Sequence, residues 1–132
     1  MQGPLDAAKN GDFESLQKML NARADVDERD YDGKTPLMWA VRYGSTDCAR
    51  LLINNNADIS AYSNVLETPL ILAAYYGHTE CILLLIDAGA YLNFRDEVNR
   101  TALIWAADLG HTECVRVLVN SKAHVNATEN NG

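Results

Sequence analysis

The sequence predicts an all-α fold, a solenoid of stacked helix–turn–helix units joined by β-hairpin-like loops. Three observations carry that reading. Thr35-Pro36-Leu37, Thr68-Pro69-Leu70 and Thr101-Ala102-Leu103 begin 33 residues apart, and the same step links Gly44, Gly77 and Gly110, Cys48, Cys81 and Cys114, and Leu52, Leu85 and Leu118. A strict period of this length is the signature of a repeat architecture. Each period also carries helix punctuation, and its helices, about 8–10 residues each, are marginal alone in water. They must therefore hold by stacking, with stability close to nearest-neighbour.

The first copy, LDAAKNGDFESLQKMLNARADV, is found by stepping back from Gly44 and Ala57 to Gly11 and Ala24. It lacks Thr-Pro-Leu and carries Asp6, Lys9, Gln17 and Lys18 around a thin apolar pattern, which suits an N-terminal cap with a polar outer face. In the second copy Thr35 can cap the first helix and Pro36 suits its first position, where a missing N–H leaves nothing unpaired. Leu37, Trp39 and Ala40 supply an apolar stripe, with Trp39 and Trp105 read as core in the slot that Leu72 fills in the third copy. Gly44 ends the helix where a left-handed residue is wanted. Cys48, Ala49, Leu51 and Leu52 give the second helix its buried face, and Asn56-Ala57-Asp58-Ile59 leaves it. The third and fourth copies repeat this plan. The expected organisation is one domain over residues 1–132, with approximate repeats 1–29, 30–62, 63–95 and 96–128, and 129–132 opening a further one. HVNATENNG would stop before another helix pair, leaving Leu103, Leu109, Val115 and Leu118 partly uncovered; a piece of a longer array is the favoured reading, self-association through that face the other.

Composition narrows the function classes. At 48% hydrophobic and 22% charged the chain is ordinary for a globular protein. No apolar run approaches the roughly 18–20 residues of a membrane span. The formal charge of −7 opposes nucleic-acid backbones and anionic membrane surfaces. Three cysteines and no basic-then-apolar leader indicate an intracellular setting, cytoplasmic or nuclear.

The pentapeptide GHTEC occurs twice, at Gly77–Cys81 and Gly110–Cys114. His and Cys at this spacing invite a metal or reactive-thiol reading. Equivalent residues of stacked repeats, however, lie roughly 8–10 Å apart, too far for a disulfide, and the cysteine takes an aliphatic slot where it acts as a small hydrophobe. GHTEC is read as scaffold. No phosphate loop, nucleophile elbow or paired carboxylates stand out. The expectation is no catalytic residue, no cofactor and no metal.

The motifs TPLMWAVRYG, TPLILAAYYGHTEC and TALIWAADLGHTEC resemble the ankyrin repeat, including its 33-residue step, over the whole chain. Two departures stand out. Met38, Ile71 and Ile104 replace the family's usual histidine, and the turn glycine kept at Gly33 becomes Leu66 and Asn99; a leucine there should strain or reshape the turn. Asn93 and Asn126 match a loop position often hydroxylated in the family, but are read here as turn-stabilising amides.

The resemblance implies a concave groove lined by turn tips and the outward ends of the first helices. Matched residue by residue, the partner-binding candidates are Tyr31, Lys34, Arg42, Tyr43, Tyr62, Val65, Glu67, Tyr75, Tyr76, Arg95, Val98, Arg100, Asp108 and Leu109. Five of the six tyrosines fall there, Tyr91 being the exception, and rigid amphipathic rings serve as binding anchors. Six of the 11 basic residues (Lys9, Arg29, Lys34, Arg42, Arg95 and Arg100) join them, against four of the 18 acidic ones (Asp32, Glu67, Glu97 and Asp108). Such a front suggests a polypeptide with some carboxylate or carbonyl content. The implied function is a non-enzymatic protein–protein interaction module. Alternatives are the targeting arm of a larger enzyme (kinase, ubiquitin ligase or acyltransferase), a kinase-inhibiting ankyrin protein, or a methyl-lysine cage of the kind some such modules form.

Overall fold

A computed structural model describes residues 3–129, with side chains described through Ser121. Each first helix is short: α1 (Pro4–Asn10), α3 (Pro36–Arg42), α5 (Pro69–Tyr75) and α7 (Ala102–Asp108). Each packs on its second helix: α2 (Phe13–Asn21), α4 (Thr46–Asn54), α6 (Thr79–Asp87) and α8 (Thr112–Glu129). First helices contact first helices along the series α1, α3, α5, α7, and second helices contact second helices along α2, α4, α6, α8. The result is a two-layer stack.

Local chemistry explains the helix ends. The hydroxyls of Thr35, Thr68 and Thr101 accept from the N–H groups of Met38, Ile71 and Ile104 at 3.3, 3.1 and 3.3 Å. Asp12 does the same for Ser15 at the start of α2. Each cap is worth about 1 kcal/mol. Beyond the first helices the chain reverses through left-handed residues at Gly11, Gly44, Gly77 and Gly110. Beyond the second helices the same conformation falls to Arg23, Asn56 and Gly89.

The core runs through the stack. Leu37, Met38, Ala40, Leu70, Ile71, Ala73 and Ala106 from the first helices meet Leu16, Cys48, Leu52, Cys81, Ile82, Leu85 and Leu118 from the second. Where the family's histidine is missing, Met38 and Ile71 are fully buried, an apolar solution to the same slot.

The structure corrects four expectations. Trp39 and Trp105 are only part-buried, Trp105 still packing against the core, and each indole N–H donates to the aspartate of its own turn tip, Asp30 or the buried Asp96. Leu118 is buried, whereas Leu103 and Val115 are half-buried and Leu109 is exposed. Among the described residues the side chain of Asn93 makes no hydrogen bond to a turn, and its Oδ1 is buried without a partner. Finally, α8 continues through Glu129 instead of breaking where Asn56 and Gly89 break α4 and α6. Lys122 holds that position, and lysine adopts the left-handed backbone far less readily than glycine or asparagine. Arg23 accepts that conformation where its loop is docked, Asp27 receiving the N–H of Asp58. The side chains of Asn126 and Thr128, and the fifth turn at 130–132, lie outside the described residues.

Candidate partner-binding groove

The turn tips are built alike. Asp30 Oδ1 accepts from the N–H groups of Asp32 and Lys34, and Asp96 Oδ1 from those of Val98 and Arg100. Ser63 Oγ takes the same place toward Val65 and Glu67. Backbone bonds from Asp30 to Lys34, Ser63 to Glu67 and Asp96 to Arg100 close each loop in hairpin fashion, although no strand forms among the described residues. Gly33, Leu66 and Asn99 provide the left-handed step, so Leu66 keeps the turn shape at φ 64° and carries strain.

Neighbouring tips are tied together. Asn64 N–H donates to Asp32 O at 2.9 Å, its side-chain amide donates to Tyr31 O at 2.9 Å, and Glu97 N–H donates to Val65 O at 3.2 Å. Arg29 bridges Gly33 O and Tyr62 O at 3.0 and 2.9 Å. The tips therefore form a pre-organised edge.

Beside that edge, rings and cations interlock along the first helices. Residues 39, 42 and 43 share one helix face, as do 72, 75 and 76, and 105, 108 and 109. Trp39 stacks on Tyr43 with centroids 6.0 Å apart and lies under Lys9, Lys34 and Arg42 at 4.7, 5.3 and 5.3 Å. Arg42 also lies 5.3 Å from Tyr43 and 4.8 Å from Tyr76. Tyr75 meets Tyr76 at 4.9 Å and Trp105 at 4.8 Å, both edge-on, and Arg100 lies 4.8 Å over Trp105 while pairing with Asp108. This surface runs from Lys9 to Asp108.

Its two ends differ in charge. Lys9, Lys34 and Arg42 gather around Trp39. Between the third and fourth units an open pocket of about 290 Å³ is lined by Val65, Glu67, Tyr75, Tyr76, Asp96, Glu97, Val98 and Trp105. That lining holds three carboxylates and no cation. Lys34 reaches Glu67 at 3.9 Å from outside it.

A family model described as ankyrin repeats (3 copies) matches residues 5–96 and again 62–129. The chain belongs to the ankyrin repeat family. No curated protein matches it. Ankyrin repeats are generally protein–protein interaction modules, and the family is typically non-catalytic. Among the described residues, no helix is long and apolar enough to cross a membrane.

The ankyrin framework explains GHTEC. His78 Nε2 donates to the carbonyl of Arg42 at 2.9 Å, and His111 Nε2 to that of Tyr75 at 3.0 Å. A carbonyl can only accept, so Nε2 carries the hydrogen. Each imidazole thereby lies against the glycine of the preceding repeat; a Cβ at Gly44 or Gly77 would stand 2.7 Å from its Nδ1. Thr46 and Thr79 hydroxyls contact Cys81 and Cys114 sulfurs at 3.8 and 3.2 Å. All three cysteines are buried free thiols. Burial first, then the charges of Asp47 and Asp12, push the Cys48 thiol up to about 11. Burial also raises Cys81, outweighing its bond from Thr46. Among the described residues no group of three His, Cys, Asp or Glu is placed to hold a metal.

The candidate residues separate under this geometry. Lys34, Arg42, Tyr43, Tyr75, Tyr76, Arg100 and Asp108 belong to the interlocked surface, and Val65, Glu67 and Val98 to its pocket. Leu109 is exposed at the end of α7, and Tyr31 stands fully exposed on the first tip with no ring contact among the described residues. Tyr62 does not join the groove: it stacks on Phe94 at 5.8 Å and lines a separate pocket with Leu70, Ala90 and Tyr91. Arg95 is occupied with the carbonyl of Asn99 at 2.9 Å, supporting its own turn. The sequence reading missed Trp39, Trp105, Asp30 and Asp96 as groove residues. A signal was present, since Asp and Trp nine residues apart are replaced together by Ser63 and Leu72 in the third repeat.

Proposed function

We propose that this chain is a non-enzymatic module that binds a polypeptide partner along the groove between its turn tips and first helices. The observation that carries this is the interlocked set Trp39, Tyr43, Arg42, Tyr76, Tyr75 and Trp105, in which exposed tyrosines are held by neighbouring rings and a guanidinium, with Trp105 anchored against the core. Rings held in place lose little entropy on binding, which makes them efficient anchors. Arg42 supports a partner with carboxylate or carbonyl groups: it has no ion-pair partner among the described residues, and its Nε is buried without a hydrogen bond. The buried free thiols fit a reducing compartment, cytoplasm or nucleus.

The test is affinity capture with the intact protein and with the Tyr43→Ala, Tyr75→Ala, Tyr76→Ala variant. These rings lie outside the buried core, at 53%, 38% and 38% exposure, and circular dichroism and melting of the variant check that the helical stack is kept. Partners lost only in the variant support the reading. Recovery of the same proteins by both overturns it.

A further inference from the structure

We propose that the pocket between the third and fourth repeats receives a basic side chain of the bound polypeptide; this rests on the groove reading above. Three of its eight lining residues, Glu67, Asp96 and Glu97, are acidic, and three more, Tyr75, Tyr76 and Trp105, are aromatic. The carboxylates are not equally available. Asp96 is buried and already accepts from Val98, Arg100 and the Trp105 indole. Glu67 accepts weakly from Ser63 and lies 3.9 Å from Lys34. Glu97 is exposed and has no ion-pair partner among the described residues. A cation entering here meets a negative rim over a ring-lined floor, where cation–π attraction adds to charge pairing. A carboxylate would meet like charge, and an apolar side chain would desolvate Glu97 without compensation.

The chain displays the same chemistry within itself. Arg42 lies over Tyr76 and Arg100 over Trp105, each at 4.8 Å, so two of the pocket's rings already carry a guanidinium on its flanks. Those two are held elsewhere, Arg100 by Asp108 and Arg42 among Trp39 and Tyr43. Together with the Lys9, Lys34 and Arg42 cluster at the other end, the pocket gives the groove polarity, and a partner with acidic and basic residues would lie in one direction only.

The test uses N-acetyl-arginine N-methylamide as the probe and its citrulline counterpart, which keeps the shape and loses the charge. The chain has two tryptophans, one lining the pocket and one outside it, so the indole N–H signals in nuclear magnetic resonance act as site and control. The arginine probe should shift the Trp105 indole and the Glu97 and Val98 amides saturably, with a dissociation constant in the millimolar range, and leave Trp39 in place. Citrulline should bind at least about ten-fold more weakly, a difference of about 1.4 kcal/mol. The Glu67→Gln, Glu97→Gln variant, whose circular dichroism spectrum and melting curve report an intact fold, should lose the arginine response by a similar factor. Equal shifts from both probes, no saturable shift up to about 50 mM, or an unaffected double variant would overturn the proposal. Those failures leave the tyrosine-dependent capture standing, so the two readings fail separately.

Discussion

Trp39 and Asp30 are joined by a hydrogen bond from indole to carboxylate of 2.9 Å, and Trp105 and Asp96 repeat it one double step later at 2.7 Å. One oxygen of each aspartate organises its turn while the other holds the ring. The pair thus couples the tip of a repeat to its groove face, and fixes both before any partner arrives. In the third repeat Ser63 still organises its turn, but it has no ring to hold, and Leu72 is buried.

The coupling is measurable as a double-mutant cycle in chemical denaturation. Asp30→Ser alone should destabilise by about 1–3 kcal/mol, since it strands the indole donor of Trp39. Combined with Trp39→Leu, which reproduces the pair found in the third repeat, the loss should fall short of the sum by at least about 0.5 kcal/mol. Strict additivity would show that the two residues act independently.

Asp30 also sets a pH dependence. Partial burial on its own would raise its pKa, but the N–H groups of Lys34 and Asp32, the Trp39 indole and the Lys9 charge outweigh that, and the pKa lies below the ordinary 3.8. A native carboxylate with a depressed pKa binds its proton later than the unfolded one does. Its stabilisation is therefore present above about pH 4 and is lost as pH falls through the native value. Thermal melting between pH 5 and pH 2 should show a steeper acid loss for the wild type than for Asp30→Ser. Parallel curves would remove Asp30 from the acid transition.

The period made the fold legible because every structural device recurs at the same offset: the threonine caps, the left-handed glycines and the buried cysteines. The groove was legible in part. Arg42, Tyr75 and Tyr76 could be placed by helix position alone, but Tyr62 and Arg95 could not, because position does not say whether a long side chain reaches outward or folds onto its own loop. The tryptophans were misplaced for the opposite reason. Hydrophobicity assigns an indole to the core, but its N–H requires an acceptor, and the turn-tip aspartates Asp30 and Asp96 hold each ring part-buried beside its tip. The end of α8 was misjudged because the period places a break at Lys122, where Asn56 and Gly89 stand in earlier repeats, while Arg23 shows that a long side chain takes that turn when its loop is docked.

Gly44 and Gly110 separate backbone strain from packing. Both are left-handed, at φ 72° and 75°, yet a Cβ at Gly44 meets the His78 imidazole at 2.7 Å and one at Gly110 meets nothing within 4 Å among the described residues. Gly110→Ala should cost about 1–2 kcal/mol from the backbone alone. Gly44→Ala should cost more, and adding His78→Ala should recover part of the excess. Equal losses at the two glycines in urea denaturation would argue that the histidine moves aside freely.

The thiols should be inert in the folded state. With Cys48 pushed up to about 11, roughly one thiol in a thousand is ionised at pH 8. Burial hides the sulfurs as well. Iodoacetamide should label the native chain slowly and all three cysteines rapidly in denaturant, as read by intact mass. Prompt labelling of one site without denaturant would show that local opening exposes it.

Leu66 holds a left-handed turn position at φ 64° where Gly33 and Asn99 stand in the flanking repeats, and it is 37% exposed. Its strain is not repaid by deep burial, and the neighbouring Val65 and Val98 are exposed too. Asparagine tolerates this conformation without the unfolded-state entropy of glycine. Leu66→Asn should therefore stabilise the chain by about 0.5–1 kcal/mol, and it should weaken partner capture if the apolar tips take part in contact. Because the turn keeps its shape in the other two repeats with Gly and Asn, a loss of stability cannot come from the backbone. It would mean that the leucine side chain packs more productively than its exposure indicates.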